Sequence, residues 1–155
     1  MTKLLLILHV LAAVLAVGPV AVAASMFPAS LRAAPGSPGG ADTAATLRVL
    51  HRICRVYAGV GLAVPLFGFA TASSLGVLGS AWLIVSIVLT AAAAVVLIVA
   101  ILPGQEAALA AAEEPAAGPP RQAAGRLAMV TGIFNLLWAT VTVLMIVRPG
   151  STTGG

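Results

Sequence analysis

Hydrophobic residues run without a charged side chain over four stretches, residues 4–26, 56–75, 80–102 and 127–147, and every Lys, Arg, Asp and Glu falls between or outside them. Each stretch reaches the ~20 residues that a helix rising ~1.5 Å per residue needs to cross a hydrocarbon core of ~30 Å. Val and Ile recur in all four, but a strand edge in lipid would leave backbone groups unpaired, so helix is the expected state. The pattern therefore predicts an all-α polytopic membrane protein, a single four-transmembrane-helix bundle over residues 1–155 with a flexible tail at 148–155.

The connections differ in kind. Residues 76–79 are too short for anything but a tight turn, which predicts an antiparallel hairpin of the second and third spans. Residues 27–40 are rich in Pro and Gly and read as a loop, after which Asp42 and Thr43 offer N-cap chemistry for a helix starting near Thr43. That start would place Arg48, Arg52 and Arg55 at the headgroup level. Residues 103–126 read as a loop carrying a short surface helix over 105–114, ended by Pro115, Pro119 and Pro120. Gly59, Gly61 and Pro65 make the first half of the second span deformable.

Composition sharpens the class. Of 155 residues 61% are hydrophobic and 8% charged, against about 25% charged in an ordinary soluble domain, and the mean hydropathy is +1.13. The net charge of +4 comes from residues scattered in the connections; a dense basic patch, the mark of a nucleic-acid binder, is not present, so nucleic acid is not an expected partner. With four spans, Lys3 and Arg148 share one side, while Arg32, Arg48, Arg52, Arg55, Arg121 and Arg126 share the other. The positive-inside rule then predicts an inner (cytoplasmic) membrane protein with arginine loops in the cytoplasm and both termini outside. Lys3, the first hydrophobic run and Ala21-Val22-Ala23 imitate a cleavable signal, but the run exceeds the usual ~7–15 residues of an h-region, so it is expected to stay as a span.

Polar residues inside a span are costly enough that function is a fair default hypothesis. His9 lies early in the first span and Asn135 near the middle of the fourth. Neutral imidazole is the commonest metal ligand, so His9 is a candidate ligand for haem or copper; the structural alternative is a histidine hydrogen-bonded to backbone or headgroup. His51, at the interfacial start of the second span, is a weaker candidate, and opposite ends of the bilayer should hold the two histidines on the order of 20 Å apart. Asn135 shares a helical face with Thr131, Gly132, Ala139 and Thr142, where small residues allow close approach and the amide can bond a neighbouring helix. Gly68, Ala72 and Gly76 form a similar stripe on the second span. Arg48, Arg52 and Arg55 suit anionic lipid or the acidic surface of a partner. Trp82 and Tyr57 suit the interfaces, whereas Trp138 lies deeper. Cys54 is the only cysteine, which makes an intramolecular disulfide impossible. No catalytic constellation is visible, and all Asp and Glu residues lie outside the spans.

The segment Leu-His-Val-Leu-Ala-Ala-Val-Leu-Ala-Val-Gly at 8–18, Leu-His-Arg-Ile-Cys-Arg-Val-Tyr at 50–57, Phe-Asn-Leu-Leu at 134–137 and Val-Arg-Pro at 147–149 resemble a bacterial family of predicted integral membrane proteins of unknown function. That family is in turn similar to the copper-resistance-D-like superfamily with its HemJ-type protoporphyrinogen oxidases. The resemblance implies a four-helix membrane bundle in which His9 matches a first-helix histidine associated with haem b and Asn135 an asparagine of the last span. Leu136 stands where those enzymes have a glutamate, Ala16 in the region of a tryptophan, and Ala29 in place of an arginine; these departures bear on oxidase activity. Three functions are therefore carried forward: an uncharacterised membrane protein serving as a small subunit or scaffold of a complex, with a membrane partner or a second copy; a haem-b redox protein; and copper handling, which Met26, Met129 and Met145, unclustered in sequence, support least.

Overall fold

The computed structural model describes residues 1–33, 40–113 and 121–150. Helices α1 (Thr2–Ala33), α2 (Gly40–Val60), α3 (Ala63–Leu75) and α4 (Ala81–Val95) are followed by a π-helical segment (Val96–Ile101), then α5 (Leu102–Glu113) and α6 (Arg121–Val147). They form four rods long and apolar enough to cross a membrane: α1, α2 with α3, α4 through α5, and α6. No strand occurs among the described residues, and the fold is the all-α membrane bundle that the hydrophobic pattern predicts. Large apolar side chains such as Ile7, Val14, Leu66, Phe69, Val88, Val99, Leu136 and Ile146 are exposed. In water that surface would be costly, whereas in lipid it is the solvated face.

The helices outrun the uncharged stretches, and all the excess at one end lies on the arginine side. The 32 residues of α1 extend to ~48 Å, against a hydrocarbon core of ~30 Å. Residues 27–33, expected as loop, are helical: Phe27, Pro28 and Leu31 are buried, and burial of that face outweighs the Pro signal. Pro28 lacks an N–H, which frees the Ala24 carbonyl one turn back. Thr131 of α6 donates its hydroxyl to that oxygen at 3.4 Å.

The second helix starts at Gly40, so Asp42 lies in its first turn and is not the cap; Thr46 donates to its carbonyl at 2.9 Å. This rod breaks at Gly61-Leu62, between α2 and α3. Leu62 N–H turns to the Gly59 carbonyl and Val64 N–H to that of Gly61. The second bond takes up the carbonyl that Pro65, without an N–H, leaves open.

The surface helix expected at 105–114 is instead the end of the third rod. Ala93, Leu97, Ile101 and Gln105 are all buried at four-residue spacing. In an α-helix each such step drifts about 40°, so the row would turn about 120° away from the core by Gln105. The wider π turn at Val96–Ile101 absorbs that drift. It holds Gln105 against α2, where a surface helix would have left it wet. Pro115, Pro119 and Pro120 lie outside the described residues.

Packing orders the rods as second, first, fourth and third: α1 lies against α2, α3 and α6, α6 against α4 and the π segment, and α5 closes onto α2 at the arginine end. The main core is there, built on Phe27, Leu31, Leu47, Cys54, Ile101 and Ala124. The hairpin turn after α3 is capped by Gly76 in the left-handed region at φ 69°. Although α3 and α4 are consecutive and antiparallel, α3 leans on α1 and α4 on α6; around their turn, Ala72, Trp82 and Leu83 cluster with Val77 and Met145. In the tail expected at 148–155, Arg148 has φ 46° and its guanidinium lies 5.8 Å from the Trp82 ring; residues 151–155 lie outside the described residues.

Candidate functional site

Three polar places interrupt the apolar interior. The first is His9 in α1, half-buried, whose Nδ1 lies 2.9 Å from the Val64 carbonyl of α3. A carbonyl only accepts, so Nδ1 is the donor, and in the neutral ring Nε2 is the acceptor. The contact exists because Gly68 has no side chain: a Cβ there would lie 2.9 Å from His9 Cε1 and 3.1 Å from Nδ1. Gly68 thus serves as a seat for the imidazole.

The second place joins α6 to α1. Asn135 Nδ2 donates to Ser25 Oγ at 3.2 Å, one residue from the Thr131 bond to Ala24. Asn135 Oδ1 and the Trp138 indole N–H are buried without a hydrogen-bond partner, and Trp138 packs edge-on against Phe134 at 6.3 Å between centroids. Of the residues that the sequence pattern put on this face, Thr131 is buried. Gly132 is not at a helix contact, since nothing lies within 4 Å of where its Cβ would be. On the second span, Ala72 is buried beside Trp82, while Gly76 acts as a cap and not as a packing surface.

The third place is the most developed. In α2, His51 Nδ1 lies 3.1 Å from Gln105 Oε1, and Gln105 Nε2 donates to Cys54 Sγ at 3.5 Å. Gln105 and Cys54 are fully buried, so this amide crosses the α2–α5 seam with both ends occupied. Gln105 was not foreseen, because Pro103-Gly104 reads as a loop start; the Ala93, Leu97, Ile101 spacing was its only signal. His51 also lines an open groove of about 460 Å³ with Arg52, Arg55 and Val56. Residues one and four apart from His51 fall on one flank of a helix, which is why the topology-setting arginines and the histidine converge. Arg52 and Arg55 are exposed, and neither has a hydrogen bond or ion pair among the described residues. Arg48 points its Nε to its own helix at Ala44 O, 3.3 Å away, and does not line the groove. A second, smaller cavity of about 200 Å³ lies where α1 meets α2, lined by Ser30, Ala33, Asp42, Thr43 and Thr46.

These places are far apart. His9 meets Val64, thirteen residues along the second rod from His51, about 20 Å at helical rise. Asn135 meets Ser25, sixteen residues along α1 from His9, about 24 Å. No group of three or more His, Cys, Asp or Glu that could hold a metal occurs among the described residues.

Residues 3–149 match a family model described as a predicted integral membrane protein, DUF2269. No curated protein and no solved structure matches. The further likeness to HemJ-type and copper-resistance-D proteins rests on the quoted segments alone.

Proposed function

Because the chain belongs to this family of predicted integral membrane proteins, we propose that it works by binding, as a small membrane subunit or scaffold held at its arginine end by anionic groups. The observation that carries this is the groove of His51, Arg52 and Arg55, where two exposed guanidiniums meet at the edge of the uncharged stretch 56–75. That edge is the headgroup level, where each Arg or Lys near an anionic leaflet contributes about 1 kcal/mol of attraction. Six arginines on that side against Lys3 and Arg148 on the other support a cytoplasmic arginine end, outside termini and residence in a cytoplasmic membrane. The exposed flanks of α1 and α6 leave room for another membrane protein or a second copy beside the bundle.

The test is lipid retention. Protein purified in mild detergent from membranes holding anionic lipid should carry that lipid through native mass spectrometry. The double variant Arg52→Gln, Arg55→Gln should retain several-fold less while melting at an unchanged temperature, because exposed substitutions away from caps and cores usually change stability by within ~0.5 kcal/mol. Equal retention by both proteins rules the reading out.

A haem-b protein is the second reading, and His9 gives it one specific support. Its Nδ1 proton goes to a backbone carbonyl, the arrangement that orients a metal-ligating histidine and leaves Nε2 for the metal. The surroundings do not fit a porphyrin. The ring fills the open side of Gly68, neither of the two cavities described touches His9, and Asn135, which the resemblance links to the same enzymes, lies about 24 Å away. Purified protein should accordingly show no Soret band with or without dithionite. A band that His9→Ala abolishes would restore the haem reading. Copper handling finds no support in Cys54, whose buried thiol is engaged by Gln105.

A further inference from the structure

His51 stands between two different surroundings. Its Nδ1 faces the sealed α2–α5 seam and bonds to Gln105 Oε1 at 3.1 Å. The orientation of that amide is held from behind, because Gln105 Nε2 donates to Cys54 Sγ and the whole side chain is buried. An amide oxygen cannot donate, so Nδ1 is the donor of this bond, and in the neutral ring Nε2 is the acceptor. His51 also lines the groove with Arg52, Arg55 and Val56, and with Nδ1 engaged by Gln105, Nε2 is the ring nitrogen with no hydrogen bond among the described residues. The groove therefore offers two forked cations beside one acceptor.

That combination is unusual for an anion site, since an acceptor repels a fully ionised anion. It suits an anion that still carries a proton. We propose that His51, Arg52 and Arg55 form a site for a phosphate monoester at the membrane surface, with the two guanidiniums taking phosphate oxygens and His51 Nε2 accepting the hydrogen of the P–OH group. Guanidinium presents N–H donors in a planar fork matched to phosphate geometry. A monoester with a second ionisation near ~6 is mostly doubly ionised at pH 7 but still takes up a proton in part, so it can share one proton with a neighbouring acceptor, as a diester cannot. A phosphodiester has no P–OH group, so its phosphate offers Nε2 no donor. The lipid form of the ligand is favoured because Val56, 53% exposed, forms the groove's apolar rim and opens the uncharged stretch of the second span. A monoester lipid would rest its phosphate on the arginines and its glycerol and chains on that rim.

The site rests on the anionic-headgroup reading above and narrows it from charge to chemistry. Full-length protein is offered phosphatidic acid, a monoester, and phosphatidylmethanol, a diester with no headgroup hydroxyl, at equal amounts in detergent, and bound lipid is counted by native mass spectrometry. Wild type should prefer the monoester roughly tenfold, the worth of one charge-assisted hydrogen bond. In His51→Asn the amide N–H can still reach Gln105 but nothing replaces Nε2. That variant should melt like wild type and bind both lipids at the diester level. Arg52→Gln with Arg55→Gln should lose both. Competition by inorganic phosphate or glycerol phosphate at millimolar concentration would place the ligand in solution, and resistance to it would place it in the bilayer; either source keeps the site. Equal binding of the two lipids by wild type overturns this inference and leaves the anionic-headgroup reading standing, as does a monoester preference that persists in His51→Asn. Binding of neither lipid overturns both.

Discussion

Replacing Gln105 by alanine should destabilise the arginine end by about 3 kcal/mol, one of the largest losses available from a single polar side chain in this protein. Two effects add. The substitution leaves the His51 N–H and the Cys54 thiol facing each other across a void, and an unsatisfied buried donor costs about 1–3 kcal/mol. It also removes a side chain that is fully buried, so the seam keeps a cavity that backbone relaxation fills only in part. Cys54, the single cysteine and fully buried, reports the loss directly. Wild-type protein in detergent should react with a small maleimide only after unfolding, while Gln105→Ala should react at least several-fold faster in the folded state and melt at a lower temperature. A variant that melts normally and keeps Cys54 silent would show that the seam is held by apolar packing alone.

Gly68→Val should be nearly as damaging, and for a different reason. A Cβ at residue 68 would lie 2.9 Å from His9 Cε1, inside any allowed contact, so the imidazole must swing away and give up the Val64 carbonyl. A ring that stays is overpacked at a cost of about 1–3 kcal/mol, and a ring that swings away is left unpaired within the bilayer at a cost of about the same size. The clash is with one side chain, so removing that side chain should relieve it. His9→Ala alone should weaken the α1–α3 contact, yet His9→Ala combined with Gly68→Ala should be at least about 1 kcal/mol more stable than the sum of the single changes. Unfolding in a detergent titration with SDS measures all four corners of that cycle. Simple additivity would mean that the ring and the glycine do not share one space.

The polar places differ in how legible they are in the sequence. His9 stands out in sequence because an imidazole in a hydrophobic run is conspicuous, and hydrogen bonding to backbone is one of its two expected fates. Its acceptor, Val64, could not be read, because a backbone carbonyl carries no sequence signal. Gly68 was expected to let helices approach; what it admits is a side chain from the next rod. Asn135 bonds another helix as its chemistry suggests, and Thr131 finds a carbonyl released by Pro28, a link between residues more than one hundred apart that no local pattern shows. Residues 27–33 and 105–113, which read in sequence as a loop and a surface helix, are packed rod ends for one shared reason. Pro and Gly raise the odds of a turn locally, but their neighbours Phe27, Leu31, Ile101 and Ala108 are buried, and tertiary burial outweighs propensity.

The sequence by itself determined the solvent, the number of rods and the end at which the arginines gather. Those follow from transfer energies that sum along the chain and need no knowledge of neighbours: some twenty apolar residues prefer lipid whatever they pack against. Only the tertiary structure decided which rods touch, that α3 leans on α1 and α4 on α6, and that a π turn swings Gln105 into the seam beside Cys54. Helix packing in lipid depends on shape and on pairs of polar atoms distant in sequence, because apolar surface gains little by moving from lipid to protein. The arginines are therefore visible in the sequence as a charge pattern, whereas the Gln105 contact that engages His51 Nδ1 beside them exists only once α5 has closed onto α2.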